Sequence, residues 1–478
     1  MAARASRWTT MRTEGLSSKG IGEGRKVFIV AFGVAVVVAV MQRIANAFLY
    51  PMFWGFDSSA NWDYIKLLTH SWALPAPDAA WATAHPPLFY YVGAALTRPL
   101  IGSDEGMAML ALRLVTIGLG FLMVWLIARC VRQYAGDDST RPFIAAALVL
   151  FMPCHIYMSA MVGEEIWAST LITLALVLAA TDLSANERGL ARPALIGMAG
   201  GLAALAKLTG VLVVVACVGA YGLRAIRLRR AEPAAISMGI KQAAIIALVA
   251  GLVGGWFYAR NLIEYGYLYP HDLPIHAKMH TMPPGEREVS DFLRLPVATF
   301  RDPNAMNPDL LRSIWGTTYA SWWFDAHRHF LPRNNRTVNH AGTLILTLAL
   351  LPTFAFGVGC LRGLRRAIGS PHGPDSLFLT MIVISLAGYA HFVWQNPQFA
   401  VLKGSYLMGL SLPFAYYASE VLSGWTRSGR AQSLLVWALL IVLFVSVTVV
   451  FYLGNGLWNL IDSEFPGMRW IPIQKLKM

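Results

Sequence analysis

The stretch VFIVAFGVAVVVAVMQRIANAFLY, residues 27–50, decides the fold class. Apolar residues fill almost all of it, and a helix of this length crosses the roughly 30 Å hydrocarbon core of a bilayer. Further apolar runs follow along the chain, at about 107–131, 142–160, 166–181, 194–206, 209–223, 240–262, 340–361, 376–394, 404–422 and 432–454. The sequence therefore predicts an all-α, polytopic integral membrane protein with about 11 transmembrane helices.

The composition favours a membrane protein over a soluble one. Of the 478 residues, 56% are hydrophobic and only 14% are charged, whereas soluble domains carry about a quarter charged residues. The net charge of +13 fits basic loops that face anionic lipid, and we expect no nucleic acid partner. The four cysteines lie within or at the ends of apolar runs, a pattern that indicates neither a disulfide framework nor a metal site.

The segments between the apolar runs divide the chain into five parts. Residues 1–26 form a basic cytoplasmic tail, 27–262 an N-terminal transmembrane module, 263–339 a large outer loop, 340–454 the C-terminal transmembrane helices and 455–478 an outer tail. Within the first module, residues 51–106 form the first outer loop, where the short apolar run 86–100 lies at the interface. Ala45-Asn46-Ala47 resembles a signal-peptidase site, but the long basic segment before it favours an uncleaved anchor.

The stretch 194–223 is either one long helix or a pair of short helices broken at Lys207-Leu208-Thr209-Gly210. Basic residues flank both of its ends: Arg188 and Arg192 precede it, and Arg224, Arg227, Arg229 and Arg230 follow it. The positive-inside tendency assigns both flanks to the cytoplasm, which only a helical pair allows. A lysine in the middle of a single span would also cost about 3 kcal/mol. We therefore expect the pair, with Lys207 at the outer surface.

With the N-terminus inside, one outer face collects acidic residues and isolated cations. This face carries the loop 51–106, Glu164, Glu165, Lys207, Arg260, the loop 263–339 and Lys403. Each of these charges, taken alone, is explained by a side chain that reaches water at the end of a span. Together on one face, they indicate a functional site.

Short motifs on this face follow one another in a recognisable order. The first outer loop reads Gly55-Phe56-Asp57, then Asn61-Trp62-Asp63-Tyr64-Ile65, then His85-Pro86-Pro87-Leu88-Phe89-Tyr90-Tyr91. Later come Gly163-Glu164-Glu165, GLAALAK at 201–207, GWFYARN at 255–261 with Tyr265-Gly266, and Lys403-Gly404-Ser405-Tyr406-Leu407. From about residue 30 to 425, this set resembles the GT-C membrane glycosyltransferases. The subgroup it resembles is the protein O-mannosyltransferase and aminoarabinose-transferase-like one, glycosyltransferase family 39-like.

The resemblance implies a GT-C-like fold and a lipid-dependent reaction. Such enzymes take a sugar from a polyprenyl-phosphate-sugar donor and pass it to a glycan, lipid or protein acceptor outside the cytoplasm. Three positions depart from the usual pattern: Ser58 follows Asp57, the second acidic motif is Glu164-Glu165, and the later arginine is Lys403. These departures leave a divalent metal requirement open.

The resemblance also assigns roles to single residues. Asp57 is the expected general base, with Asp63 as the alternative, because a carboxylate can accept the acceptor's proton. Lys207, Arg260, Lys403 and His85 are expected at the donor phosphate, where cations stabilise the leaving group. Glu164 and Glu165 are expected to bind donor, acceptor or metal, and Tyr64 and Tyr406 lie within matching motifs. The alternatives are that Asp57 caps a helix, that the glutamates mark the end of a span, and that His85 is a packed histidine.

The large outer loop is expected to carry short helices, to cover the site and to encode the choice of acceptor. It contains His271, His276, His280, His327 and His329. His276 and His280 have the spacing of two metal ligands on a helix, but no matching carboxylate motif accompanies them and Pro283-Pro284 follows closely. Zinc binding is therefore not favoured.

Two other classes of protein share part of this pattern. A transporter or flippase of an anionic lipid or glycolipid would also have many spans and intramembrane charges, but we find no internal repeat, and the charges lie at one face rather than at mid-bilayer depth. A non-catalytic subunit of an envelope complex would tolerate neutralisation of Asp57. Since no nucleotide motif and no long cytoplasmic loop is present, a lipid-borne donor fits best. The composition suits a bacterial inner membrane.

Overall fold

The computed structural model describes residues 18–185, 189–228, 233–270, 273–332, 336–370 and 373–452. Every regular element in these ranges is helical, so the predicted all-α class is confirmed. Contacts divide the chain into a unit that ends at Met41 and a second unit that begins at Gln42. The first unit holds the N-terminal part of the first helix, and all residues of the candidate site belong to the second.

The α-helices of the described ranges fall into a membrane-length set and a short set. In chain order they are α1 (Ser18–Leu49), α2 (Ser58–His70), α3 (Leu88–Ile101), α4 (Glu105–Tyr134), α5 (Arg141–Leu150), α6 (Pro153–Ala160), α7 (Glu165–Ala185), α8 (Ala191–Ala206), α9 (Val211–Leu228), α10 (Pro233–Ala250), α11 (Trp256–Tyr265), α12 (Ala277–His280), α13 (Ala298–Arg301), α14 (Pro308–Leu311), α15 (Ile314–Trp323), α16 (Arg336–Gly369), α17 (Asp375–Gln395), α18 (Ser411–Trp425) and α19 (Arg430–Val450). As predicted, the large outer loop carries short helices, α12 to α15.

In the described part of the chain, the helices long enough to cross a membrane are fewer than the predicted 11 spans. Among the described residues, eight helical segments are long and apolar enough to cross a membrane, and the pair α5 and α6, bent by 49°, would make nine. Two of the expected spans form shorter elements. The run 194–206 lies in α8, which has 16 residues, and the run 404–422 forms a 3-10 stretch, Gly404–Leu410, followed by the 15 residues of α18. The count of about 11 is therefore not confirmed by helix length.

The helix break predicted at Lys207 is present. Helix α8 ends at Ala206, Lys207 is extended with φ −160° and ψ 147°, and the 3-10 turn Leu208–Gly210 leads into α9. The turn is tight because Gly210 lies directly against the backbone of Ala203, where a Cβ atom would collide. The break leaves the Lys207 side chain at a helix end and not in the middle of a long helix.

Ion pairs join the helix ends that carry the basic clusters. Arg366, near the end of α16, pairs with Asp375 at the start of α17 at 2.9 Å and with Glu420 of α18 at 2.7 Å. Arg141 at the start of α5 approaches the same Glu420 at 3.5 Å. The positive-inside tendency assigns this end to the cytoplasm, and this orientation stays a prediction.

Two arginines within apolar helices, Arg43 and Arg113, are buried and bind backbone carbonyl groups. Arg113 donates hydrogen bonds of 2.9 Å to three carbonyl oxygens at and beyond the end of α1, those of Ala47, Tyr50 and Pro51. Arg43 donates to the carbonyl of Leu150 at the end of α5, at 2.6 Å. Carbonyl groups at helix ends lack intrahelical partners, so both arginines have a structural explanation.

Candidate active site

Asp57 stands at the start of α2 with its side chain turned away from the helix. Its backbone is left-handed, with φ 50° and ψ 15°, and its side chain forms no capping hydrogen bond with the described residues. The carboxylate instead faces the Lys403 ammonium group, 3.3 Å away, and 40% of the Asp57 side chain is exposed. A non-glycine residue in this region is uncommon, although aspartate tolerates it better than most. The capping explanation for Asp57 is therefore not what the structure shows.

Lys403 is buried, and its ammonium group stabilises the ionised carboxylate of Asp57. Its Nζ lies 4.5 Å from the ring centre of Phe56 and 5.7 Å from that of Tyr406. The Lys403 charge is the main cause that lowers the pKa of Asp57 to about 2, against an opposing effect of burial. Burial lowers the pKa of Lys403, but Asp57 more than offsets this, and the pKa lies above its ordinary value. Asp57 is thus a carboxylate and Lys403 an ammonium at neutral pH.

The second acidic motif binds Lys207. The Lys207 Nζ lies 2.6 Å from Glu164 and 3.1 Å from Glu165, and both glutamate side chains are at least nine-tenths buried. Burial raises the pKa of Glu164, but Lys207 and then His85 lower it more, so Glu164 is held ionised. Burial lowers the pKa of Lys207, but the two carboxylates raise it well above its usual range. The helix break thus places the Lys207 ammonium group next to the first turn of α7.

Tyr406 connects the two lysine clusters. Its ring centre lies 5.3 Å from the Nζ of Lys207 and 5.7 Å from that of Lys403. Both contacts are within the range of cation–π attraction. Two cations and three carboxylates therefore meet around one ring, although the chain brings them from four separate segments.

His85 lies at the edge of this cluster. Its Nδ1 lies 3.8 Å from Glu164 and 2.9 Å from the Tyr90 hydroxyl. The Tyr90 hydroxyl donates to Asn61 Oδ1 at 2.8 Å, so its oxygen accepts a hydrogen bond from the His85 Nδ1–H group. Burial is the main cause that lowers the pKa of His85, against Glu164, which raises it. His85 is therefore a neutral donor at physiological pH.

Three of the predicted site residues lie outside the cluster. Arg260 pairs with Glu264 at 2.8 Å and donates to the Tyr265 hydroxyl. Asp63 lies on the exposed side of α2, where it pairs with Lys66 at 3.1 Å. Tyr64 stacks on Tyr90 with ring centres 4.1 Å apart, and its buried hydroxyl has no partner among the described residues. The structure brings together Asp57, His85, Glu164, Glu165, Lys207, Lys403 and Tyr406.

Sequence reasoning missed several residues at the site. Burial is the main cause that raises the pKa of Tyr269, in the outer loop. The charges of Lys207, Glu164 and Asp57 also act on this pKa. Asn61 and Tyr90 lie within quoted motifs, but their hydrogen-bond chain could not be deduced from spacing. Tyr269 carries no motif, so only the fold of the outer loop reveals it.

A cavity of about 590 Å³ opens beside the Asp57–Lys403 pair. Its lining includes Gly55, Phe56 and Asp57 before α2, and His327 and His329 of the outer loop. The other outer-loop histidines have different partners: His276 bonds to the carbonyl of Trp81, and His280 bonds to Gln398. His271 lies outside the described residues.

The described residues offer no ready set of ligands for the divalent metal that the sequence left open. They contain no group of three histidine, cysteine, aspartate or glutamate side chains close enough to hold one. The two glutamates expected as ligands are already bonded to an ammonium group, which supplies the positive charge that a metal would bring. No step of the proposed reaction is therefore assigned to a metal.

Comparisons with solved structures find matches at low sequence identity. An oligosaccharyltransferase from Archaeoglobus fulgidus matches with 16% identity and a TM-score of 0.44, over 92% of this chain and 59% of that one. The same enzyme with a tethered acceptor peptide gives 13% identity and a TM-score of 0.48, over the same shares. ArnT from Cupriavidus metallidurans, bound to undecaprenyl phosphate, gives 14% identity and a TM-score of 0.40, over 87% and 82% of the two chains.

The chain thus spans about three fifths of the length of the archaeal enzyme. No protein-family model and no curated protein sequence matches the chain.

Proposed function

We propose that this protein is a membrane glycosyltransferase. It would transfer a sugar from a polyprenyl-phosphate-linked donor to an envelope acceptor on the outer face of the membrane. The observation that carries the proposal is the meeting of Asp57, Lys403, Lys207 and the two buried glutamates at or next to helix ends. A charged cluster at this place, beside an open cavity, suits a reaction between a lipid-bound and a second substrate.

The two lysines are the proposed phosphate site. Lys207 and Lys403 lie around the Tyr406 ring, and each is neutralised by carboxylates. A lipid phosphate that enters here replaces part of this carboxylate contact and brings its own negative charge. As the glycosidic bond breaks, the phosphate gains charge, and fixed ammonium groups in a partly dehydrated site stabilise it. Arg260, which pairs with Glu264 away from the cluster, is not included in this phosphate site.

Asp57 is the proposed general base. The acceptor oxygen forms a bond to the anomeric carbon, and its proton passes to the Asp57 carboxylate. The bond from the anomeric carbon to the phosphate oxygen breaks, and its electron pair leaves with the phosphate. The low pKa of Asp57, which Lys403 imposes, keeps the base ionised but weak. The close placement of the acceptor, the donor sugar and Asp57 must therefore supply much of the rate acceleration. A single base with in-line attack predicts inversion, whereas retention would require a second carboxylate as nucleophile.

The transferred group is proposed to be a hexose or pentose, and the lipid a carrier of the polyprenyl phosphate class. Dolichol phosphate and undecaprenyl phosphate, bound in solved oligosaccharyltransferase and ArnT structures, are lipids of this class. We place the protein in a bacterial inner membrane with the site outside. The positions of the charges favour this function over transport, because the buried Arg43 and Arg113 bind backbone carbonyls.

The proposal is tested by neutralising Asp57 in living cells. The gene is deleted and complemented at matched expression with wild type, Asp57→Asn or the control Asp63→Asn, which changes an exposed aspartate of the same helix. Envelope glycans and polyprenyl-phosphate-sugars are then profiled by mass spectrometry. We expect Asp57→Asn to behave like the deletion, with one sugar lost from a glycan and its lipid donor accumulated, and Asp63→Asn to behave like wild type. A wild-type profile in Asp57→Asn cells would contradict the proposal.

A further inference from the structure

Within the large outer loop, a short stretch exposes four apolar side chains. Val289, Leu293, Leu295 and Val297 are 68%, 82%, 58% and 63% exposed. Single exposed apolar residues are normal on a protein surface, whereas a group of them marks an interaction surface. The stretch lies outside the membrane-length helices, so the crossing of the bilayer by those helices does not explain it. We call residues 289–297 the apolar segment.

Hydrogen bonds fix the backbone of the apolar segment. Its first turn, the 3-10 turn Val289–Phe292, is closed by a capping box in which the side chains of Glu288 and Asp291 each accept from a backbone N–H group of the other residue. Further along, the carbonyl of Arg294 accepts a hydrogen bond of 2.6 Å from the hydroxyl of Ser313, at the start of α15. The outward direction of the apolar side chains is therefore built into the fold.

The apolar segment lies beside the end of α17. The Phe292 ring centre is 6.2 Å from that of Trp394, which is the last residue but one of this helix. Helix α15, to which the segment is bonded, contacts α17 more than one turn before Trp394, where the rings of Trp315 and Tyr389 are 6.2 Å apart. Tryptophan is typical of the boundary between membrane and water, and 47% of Trp394 is exposed. The segment thus stands at the level where α17 leaves the hydrocarbon core.

After the apolar segment, the chain packs towards α16. The ring of Phe300 lies 5.9 Å from that of Tyr319, whose hydroxyl donates to the carbonyl of Leu346 in α16 at 2.7 Å. Pro303 lies so close to Gly342 of the same helix that a Cβ atom there would collide with it. Both α16 and α17 are membrane-length helices. The segment is therefore held between the start of one span and the end of another.

This position decides which partner fits the apolar segment. The segment continues the exposed surface of Trp394, which is the surface of a membrane-spanning helix, so the bilayer can cover it without a further component. Arg294 is also exposed, between Leu293 and Leu295. An arginine at this level keeps its stem on apolar surface while its guanidinium reaches polar groups. A soluble partner or a second copy of the chain would have to displace lipid from the same level of the molecule.

We propose that the apolar segment inserts into the bilayer leaflet on the side of the candidate site, with Val289, Leu293, Leu295 and Val297 among the upper acyl chains and Arg294 among the lipid phosphates. The segment then acts as a membrane anchor of the outer loop. This inference goes beyond the reaction proposed above and does not depend on it.

The anchored loop also lines the cavity beside Asp57. Met282 and Phe399 both belong to the lining, and the carbonyl of Pro283 accepts a hydrogen bond of 2.9 Å from the Phe399 N–H group. Only a few residues separate Pro283 from the apolar segment. Attachment of the segment to lipid would therefore hold this part of the cavity lining against the membrane surface.

The test measures the depth of the apolar segment in a bilayer. The full chain with Cys360→Ala carries a nitroxide spin label at Leu293→Cys or Leu295→Cys, since the other three native cysteines are buried. In nanodiscs of phosphatidylcholine and phosphatidylglycerol, power-saturation EPR compares collisions with oxygen, which concentrates in lipid, and with a water-soluble nickel chelate. The matched control is Lys278→Cys, which labels an exposed polar residue of the same loop.

We expect the labels at positions 293 and 295 to lie about 5–10 Å below the lipid phosphates, the usual depth of an interfacial segment, and the label at position 278 to lie in water. Nickel access at positions 293 and 295 equal to that at position 278 would overturn the inference. Low access of both reagents would also overturn it, and spin–spin coupling would then identify a second copy as the cover. The measurement needs no catalysis, so its failure is distinguishable from failure of the transfer reaction.

Discussion

At the scale of single residues, the pair formed by Asp57 and Lys403 governs the ionisation of the proposed base. Lys403 holds the pKa of Asp57 at about 2, and a free aspartate titrates near about 4. A base with this lowered pKa remains ionised throughout the acidic range in which most proteins stay folded. Because of this pair, acid in this range does not protonate Asp57, and the ionisation of Asp57 does not limit the reaction rate there.

Lys403→Gln should move the acidic limb of the pH–rate profile upward. Without the ammonium group, the Asp57 pKa rises toward about 4, so at that pH about half of the base becomes protonated in the variant. We expect kcat/KM of the variant, relative to its own value at pH 7, to fall by about half near pH 4, while wild type stays level. The measurement is sugar transfer or donor cleavage by purified protein across pH 4–8. Parallel profiles for both proteins would show that Asp57 is not the titrating base.

At the scale of elements, the turn between α8 and α9 positions Lys207 against the start of α7. The turn can be this tight because Gly210 has no side chain where it meets the backbone of Ala203. A backbone atom cannot rotate aside as a flexible side chain can. The position of Lys207, and through it the neutralisation of Glu164 and Glu165, therefore depends on this glycine.

Gly210→Ala should displace the turn and weaken both folding and activity. Overpacking at such a site costs about 1–3 kcal/mol, and we expect a lower thermal unfolding temperature in detergent together with reduced transfer. Gly222→Ala is the control, because a Cβ atom at this position of α9 meets nothing within 4 Å and alanine favours a helix over glycine. If Gly210→Ala unfolds and reacts like Gly222→Ala, the tight turn is not what places Lys207.

At the scale of the whole molecule, the candidate site and the basic clusters occupy opposite ends of the membrane-length helices. Asp57, Lys207 and Lys403 meet at one end, and Arg366, Asp375 and Glu420 are paired at the other. Because positively charged ends stay in the cytoplasm, the site should face outward, where a lipid-linked sugar is used.

This orientation can be measured by cysteine labelling. Ser59, next to the site in α2, and Ser428, between α18 and α19, are both exposed. Each is changed to cysteine in a background with Cys360→Ala, since the other three native cysteines are buried. In sealed right-side-out membrane vesicles, an impermeant maleimide should label Ser59→Cys at once and Ser428→Cys only after lysis. The reverse pattern would place the site in the cytoplasm.

The sequence by itself determined the helical class and the break at Lys207, and it named most of the residues that the structure brings together. These follow from local properties: the length of apolar runs, the charges that flank them and motifs that are contiguous in the chain. Its count of about 11 spans is not confirmed by helix length, because the runs 194–206 and 404–422 form α8, the 3-10 stretch Gly404–Leu410 and α18, which are short elements.

Only the tertiary structure decided which charges meet. Asp57 and Lys403 are separated by 346 positions in the chain, and nothing local distinguishes Lys403 from Arg260, which finds its carboxylate four residues away. The same holds for the ring of Phe56, which contacts the rings of His327 and His329 although they are far apart in the sequence. Local sequence specifies helices because their hydrogen bonds and apolar faces are local, whereas a site is made by the packing of segments that the chain brings together only when it folds.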